Sequence, residues 1–91
     1  MHDWTLFMFQ IDWSEGRAVL IFRGEHDAVV LTAHGVVDIH VPRRQAWGPS
    51  DHVNKVKETT EDGLQVYEVE MQSGDCIKIV AASFQSNLTK V

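Results

Sequence analysis

LQVYEVEM (64–71), SGD (73–75) and CIKIVAASF (76–84) decide the fold of this chain. Tyr67, Val69 and Met71 share one parity in the first run, and Ile77, Ile79 and Ala81 share one in the last. A period of two places alternate side chains on one face of a strand. The polar turn between the runs contains a glycine that can take positive φ at little steric cost. The stretch reads as a β-hairpin with one apolar face, which must be covered by other strands.

Those strands are found upstream. From Trp4 to Trp13, the residues Phe7, Phe9, Ile11 and Trp13 fall on one parity, with Leu6 and Met8 on the other. Ser14-Glu15-Gly16 supplies a turn, and Arg17 to Arg23 follows with Ala18, Leu20 and Phe22 on one face. These two runs form a first hairpin. Gly24 to Asp27 is a second turn and Ala28 to Ala33 a third strand. Gly35 interrupts the β pattern, which resumes at Val36 and ends at Pro42, and a lone glycine there marks a bulge or bend. The thirteen residues from Val29 to Val41 would span about 43 Å if straight. The strand is therefore expected either to bend at Gly35 and pass between two sheets, or to turn back there. Past Gly35 the pattern points Val37, Ile39 and Val41 inward and Asp38 and His40 outward.

The rest reads less regularly. Residues 45–50 extend the break at Pro42 into the longest irregular connection. Asp51 to Glu58 is ambiguous, because Val53 and Val56 have helical spacing while the β-branched content suits a short strand. Thr59 to Gly63 reads as a polar turn region and Gln85 to Val91 as a frayed tail. The expectation is a single all-β domain over residues 1–91, a small antiparallel β-sandwich or barrel of six to seven short strands.

Composition narrows the function classes. At 91 residues, 44% apolar and 23% charged, the chain has room for one core. Its net charge of −5 argues against nucleic acid and anionic membranes as partners. The basic residues Arg43, Arg44, Lys55 and Lys57 are scattered among Asp51, Glu58, Glu61 and Asp62. A single cysteine, Cys76, excludes an internal disulfide framework. The first residues lack the basic start and apolar core of a secretory signal, so a cytoplasmic location is expected.

No catalytic constellation emerges. Ser50-Asp51-His52 has the residue types of a triad, but adjacency in sequence does not create triad geometry. Cys76 reads as a small buried hydrophobe. Five histidines raise the question of a metal, and His34, Asp38 and His40 on one strand face, with His52 from the next loop, are the candidate ligands. The plainer reading makes them solvent-facing polar residues, and no cofactor is expected. The segment 41–50 is the candidate binding element. Two prolines stiffen it, and Arg43, Arg44 and Trp47 are of the types enriched in binding hot spots. Trp47 has a competing role as a plug for one end of the fold, and Trp4 and Trp13 are expected to pack in that way.

The run Met71 to Ala81, together with His2-Asp3-Trp4, Val41-Pro42-Arg43-Arg44 and Trp47-Gly48-Pro49-Ser50, resembles small uncharacterised bacterial all-β proteins. These are distantly similar to some toxin-immunity β domains. The resemblance covers about half the chain and implies no catalytic residues. The functional expectation is a non-enzymatic binding module, immunity-type or homodimeric, acting on a protein partner or on itself. The alternative is a small metal- or ligand-binding β-barrel using the histidines.

Overall fold

A computed structural model describes residues 4–44 and 52–90, the side chains at 88–90 apart. It contains six strands: β1 (Thr5–Asp12), β2 (Arg17–Arg23), β3 (Asp27–His40), β4 (Val53–Glu61), β5 (Leu64–Met71) and β6 (Cys76–Lys90). All pairings are antiparallel, in one sheet ordered β1-β2-β3-β6-β5-β4. The all-β expectation holds. The sheet is open rather than a closed barrel, although its two edges meet at one bridge between Thr5 and His52, where the Val53 amide donates to the Trp4 carbonyl at 2.7 Å.

This order has a simple construction. β1-β2-β3 is one meander and β4-β5-β6 a second, and the last strand of each pairs with the other. Those two strands are long, 14 and 15 residues. The first half of the molecule comprises β1, β2, residues 27–34 of β3 and residues 83–90 of β6. The second comprises β4, β5, residues 76–81 of β6 and residues 36–40 of β3. Gln85 onward is therefore no frayed tail but a strand paired with β3 as far as Lys90.

Fourteen residues of straight strand would run about 46 Å, whereas the molecule measures 33 Å at most. β3 must bend, and it does so at Gly35, which has φ 65°. A Cβ on Gly35 would lie 2.9 Å from the Cβ of Ala82. Glycine is thus required twice, for the backbone conformation and for the close approach of β6. The strand does not turn back at this point. It continues to His40 and serves both halves, which curl over one core.

That core has contributions from both halves. Leu20, Phe22 and Leu31 from the first pack with Val69, Ile77 and Ile79 from the second. The rings of Tyr67 and Phe84 meet across them with centroids 5.2 Å apart. Trp4 packs against this cluster and over Gly24, as expected of it.

Three bulges explain where strand parity departs from the expectation. The register shifts between Leu6 and Met8, between Val36 and Asp38, and between Val53 and Lys55. Each inserts one residue, so the inward positions on either side become three apart instead of two. Leu6 and Phe9, Val36 and Ile39, and Val53 and Val56 all reach the core, whereas Phe7 and Val37 are turned out. The helical spacing of Val53 and Val56 is a bulged strand. At the far end of β4, Asp62 and Gly63 have φ 53° and 78°, the positive values a two-residue type I′ hairpin turn needs.

Candidate functional site

The residues picked out for binding are only partly in view. Arg43 and Arg44 are exposed just past β3, and Trp47 lies outside the described residues. The Ser-Gly-Asp turn between β5 and β6 has a definite job beside them. Ser73 and Asp75 are both buried. The Ser73 hydroxyl donates to Asp75 Oδ2 at 3.0 Å, and Asp75 Oδ1 accepts from the Arg44 amide at 3.4 Å. One residue earlier in the chain, the Gln72 amide donates to the His52 carbonyl at 2.9 Å. The same turn therefore holds the chain on both sides of residues 45–51. A buried carboxylate without such donors would carry a large desolvation cost.

The candidate metal ligands are spread along the sheet. His34 stands opposite Ser83 in the first half, Asp38 opposite Val80 and His40 opposite Lys78 in the second. The kink and the bulge between them cancel, so all three still face outward, but from different halves. His52 sits at the bridge to β1. Among the described residues, no three His, Cys, Asp or Glu side chains come together as a metal-binding group. Cys76 lies next to Glu68 and Glu70, and burial first, then these carboxylates, push its thiol above the ordinary range despite the opposing pull of Lys55 and Lys78. That environment keeps sulfur protonated at neutral pH and disfavours a thiolate nucleophile.

The most distinctive surface lies elsewhere. β2 stops pairing with β3 at Arg17 and His34. Beyond Gly35, β3 continues with β6 on one flank, and among the described residues no strand pairs with its other flank. The tip of the β1–β2 hairpin leans beside that open flank, tied to it by the Val36 amide, which donates to the Gly16 carbonyl at 2.9 Å. Between them is a cleft of about 630 Å³ lined by Ile11, Trp13, Val36, Val37, Ile39 and Val41, with Asp12, Arg17 and Asp38 among its polar groups.

Its apolar rim is wet. Ile11 is 46% exposed, Val37 63%, Val41 43% and Trp13 89%. Trp13 thus departs from the packing role expected of it, and Val37 and Val41 from the inward positions. The hairpin tip itself is well ordered by hydrogen bonds, since Asp12 Oδ1 accepts from the Ser14 hydroxyl and the Glu15 amide, both at 3.2 Å, and Arg17 pairs with Asp12 at 3.6 Å. The indole is held out on a fixed turn. The sequence signal was its position at the end of a strand, immediately before Ser14-Glu15-Gly16, where a side chain has neighbours on one side only.

Fold and site together define an open, single-sheet antiparallel β protein with an apolar cleft at the kink of its central strand. Among solved structures, an uncharacterised protein from Neisseria gonorrhoeae is similar, with a TM-score of 0.71 over 96% of this chain and 92% of that one at 10% identity. That likeness concerns the fold alone. No family model and no curated protein matches the chain.

Proposed function

We propose that the protein is a non-enzymatic binding module whose contact site is the apolar cleft beside β3. The observation that carries this reading is the exposure of Trp13 and Val37 on either side of one cleft. Single exposed hydrophobes are ordinary, but a contiguous group around a concavity marks an interaction site. The chemistry suits an extended segment of a protein partner. The open flank of β3 offers backbone groups for strand addition, and alternate side chains of the incoming segment would enter the cleft. An immunity-type role is one form of this function, since a net charge of −5 favours encounter with a basic partner.

The test is capture from native lysate on immobilised wild-type protein and on Trp13→Ala. A partner enriched on the wild type and reduced at least about tenfold on Trp13→Ala supports the reading, in line with truncation of a hot-spot aromatic. Equal capture by the two proteins refutes it.

A further inference from the structure

The open flank of β3 beyond Gly35 has a sequence that complements itself. It reads Val37-Asp38-Ile39-His40-Val41, in order apolar, acidic, apolar, basic and apolar. Laid antiparallel on its own copy, the stretch sets acid against base and apolar against apolar. The fold sets its limits. At one end the Val36 amide already donates to the Gly16 carbonyl at 2.9 Å, so the hairpin tip closes the flank there. At the other, Pro42 has no amide hydrogen to add to a ladder. The five residues between, about 17 Å of strand, have no neighbouring strand on this flank among the described residues. All but Ile39 are exposed. Asp38 and His40 face outward, and among the described residues neither has a hydrogen-bond or ion-pair partner.

We infer that β3 of a second copy adds antiparallel to this flank, about a twofold axis at Ile39. The inference rests on the reading of the flank as the contact site, and it names one occupant of that site, the same segment of another copy. In this register Asp38 of each copy stands opposite His40 of the other, Val37 opposite Val41, and Ile39 opposite Ile39. Directly opposed side chains are the ones that interact across an antiparallel pair. An imidazole can donate an N–H to a carboxylate whether it is neutral or protonated. The limits of the stretch and its chemistry select the register independently, because Ile39 is also the midpoint of residues 37–41. A shift of one residue sets Asp38 against Ile39 or Val41, and a shift of two sets Asp38 on Asp38 or His40 on His40. Val41 of the second copy enters the cleft beside Val37, on the side lined by Ile11 and Trp13. The ladder is short and two chains of net charge −5 repel, so the dimer is reversible.

Sedimentation equilibrium of the intact chain, from about 1 to 500 µM, tests the inference across the range expected for a reversible contact. The expected result is a rise in average mass from 10.3 kDa towards twice that value. Asp38→Lys sets the introduced lysine against His40 of the other copy, and His40→Asp sets the introduced carboxylate against Asp38. Each variant alone should associate at least about tenfold more weakly, since two opposed pairs are lost in each dimer. An equimolar mixture of the two should associate at least as well as the wild type, because the new lysine then faces the new carboxylate and His40 again faces Asp38. That recovery also shows both variants to be folded. Thr59→Lys, on β4, should leave association unchanged. A wild type that stays monomeric throughout overturns the inference, as does a mixture no better than its components. If such a monomer still captures a lysate partner that Trp13→Ala loses, the binding reading stands and only the second copy is excluded.

Discussion

The two halves share a plan and differ in their surfaces. Each is a hairpin followed by a long strand that crosses into the other half, and each contributes to the same core. Outside, the second half carries ladders of alternating charge, with Lys57 beside Glu68 and Glu68 beside Lys78, then Lys55 beside Glu70. Such ladders satisfy themselves in water and discourage edge and face pairing. The outer face of the first half instead carries Met8, Ile21, Val30 and Asn87 in one row and Gln10, Val19, Thr32 and Gln85 in the next, none of them charged. The open strand flanks differ in the opposite direction. Beside β3, in the second half, Val37 and Val41 are exposed together with Asp38 and His40, and on the open stretch of β6, in the first half, the exposed residues are Ser83, Gln85, Ser86 and Asn87. A repeated topology thus gives two halves with different outer faces and leaves an apolar cleft where the β1–β2 tip meets the far end of β3.

The largest effects should come from the part the halves share. Phe22→Ala and Ile79→Ala remove fully buried side chains from opposite halves, and each should cost about 2–5 kcal/mol. Both should lower a single denaturation midpoint monitored by far-UV circular dichroism. A second, separate transition in either variant would mean that the halves fold independently.

The joint between them comes next. Gly35→Ala imposes a side chain on a backbone at φ 65° and brings a Cβ to 2.9 Å from Ala82. A loss of about 1–3 kcal/mol is expected, read from the urea midpoint. The control is Gly63→Ala, where φ is also positive but no atom lies within 4 Å. A smaller loss there isolates the contact with β6, whereas equal losses would reduce the requirement at Gly35 to backbone conformation alone.

The smallest effect is electrostatic and belongs to the second half. Tyr67 is the single tyrosine, and burial first, then the charge of Glu58, raises its phenol above the ordinary value. Its folded form therefore holds the proton more tightly than the unfolded form. The resulting stabilisation is present below about pH 10, the unfolded value, and is lost as pH rises through the folded one. Absorbance titration near 295 nm should give a higher midpoint for folded protein than for protein in urea. Glu58→Gln should lower the folded midpoint part of the way. Coincident midpoints would contradict the packing described for Tyr67.

Strand parity was legible wherever the ladder is regular. Ala18, Leu20 and Phe22 in β2, and Tyr67, Val69 and Met71 in β5, fall inward as their alternation requires. It misled at the three bulges, because an inserted residue leaves no mark in hydropathy, and Val53 and Val56 then imitate a helix. The hairpin at Asp62-Gly63 had a recognisable signal in the Asp-Gly pair, diluted by the polar residues before it. The cleft was the least legible. It depends on where β2 stops and β3 continues, a long-range fact that assigns Trp13 and Val37 to the surface. The role of the Ser-Gly-Asp turn was hidden for the same reason, since Asp75 meets Arg44 only through the fold.

The central claim is that binding belongs to the apolar cleft where the β1–β2 tip of the first half meets the far end of β3 in the second, and not to the charged outer face of β4 and β5. Quantitative capture of partners from native lysate by Val37→Lys and Thr59→Lys, two exposed sites given the same added charge, tests it most directly. Thr59→Lys should retain the partner at the wild-type level while Val37→Lys loses it. Capture that is unaffected by Val37→Lys, or abolished equally by both, would contradict the account.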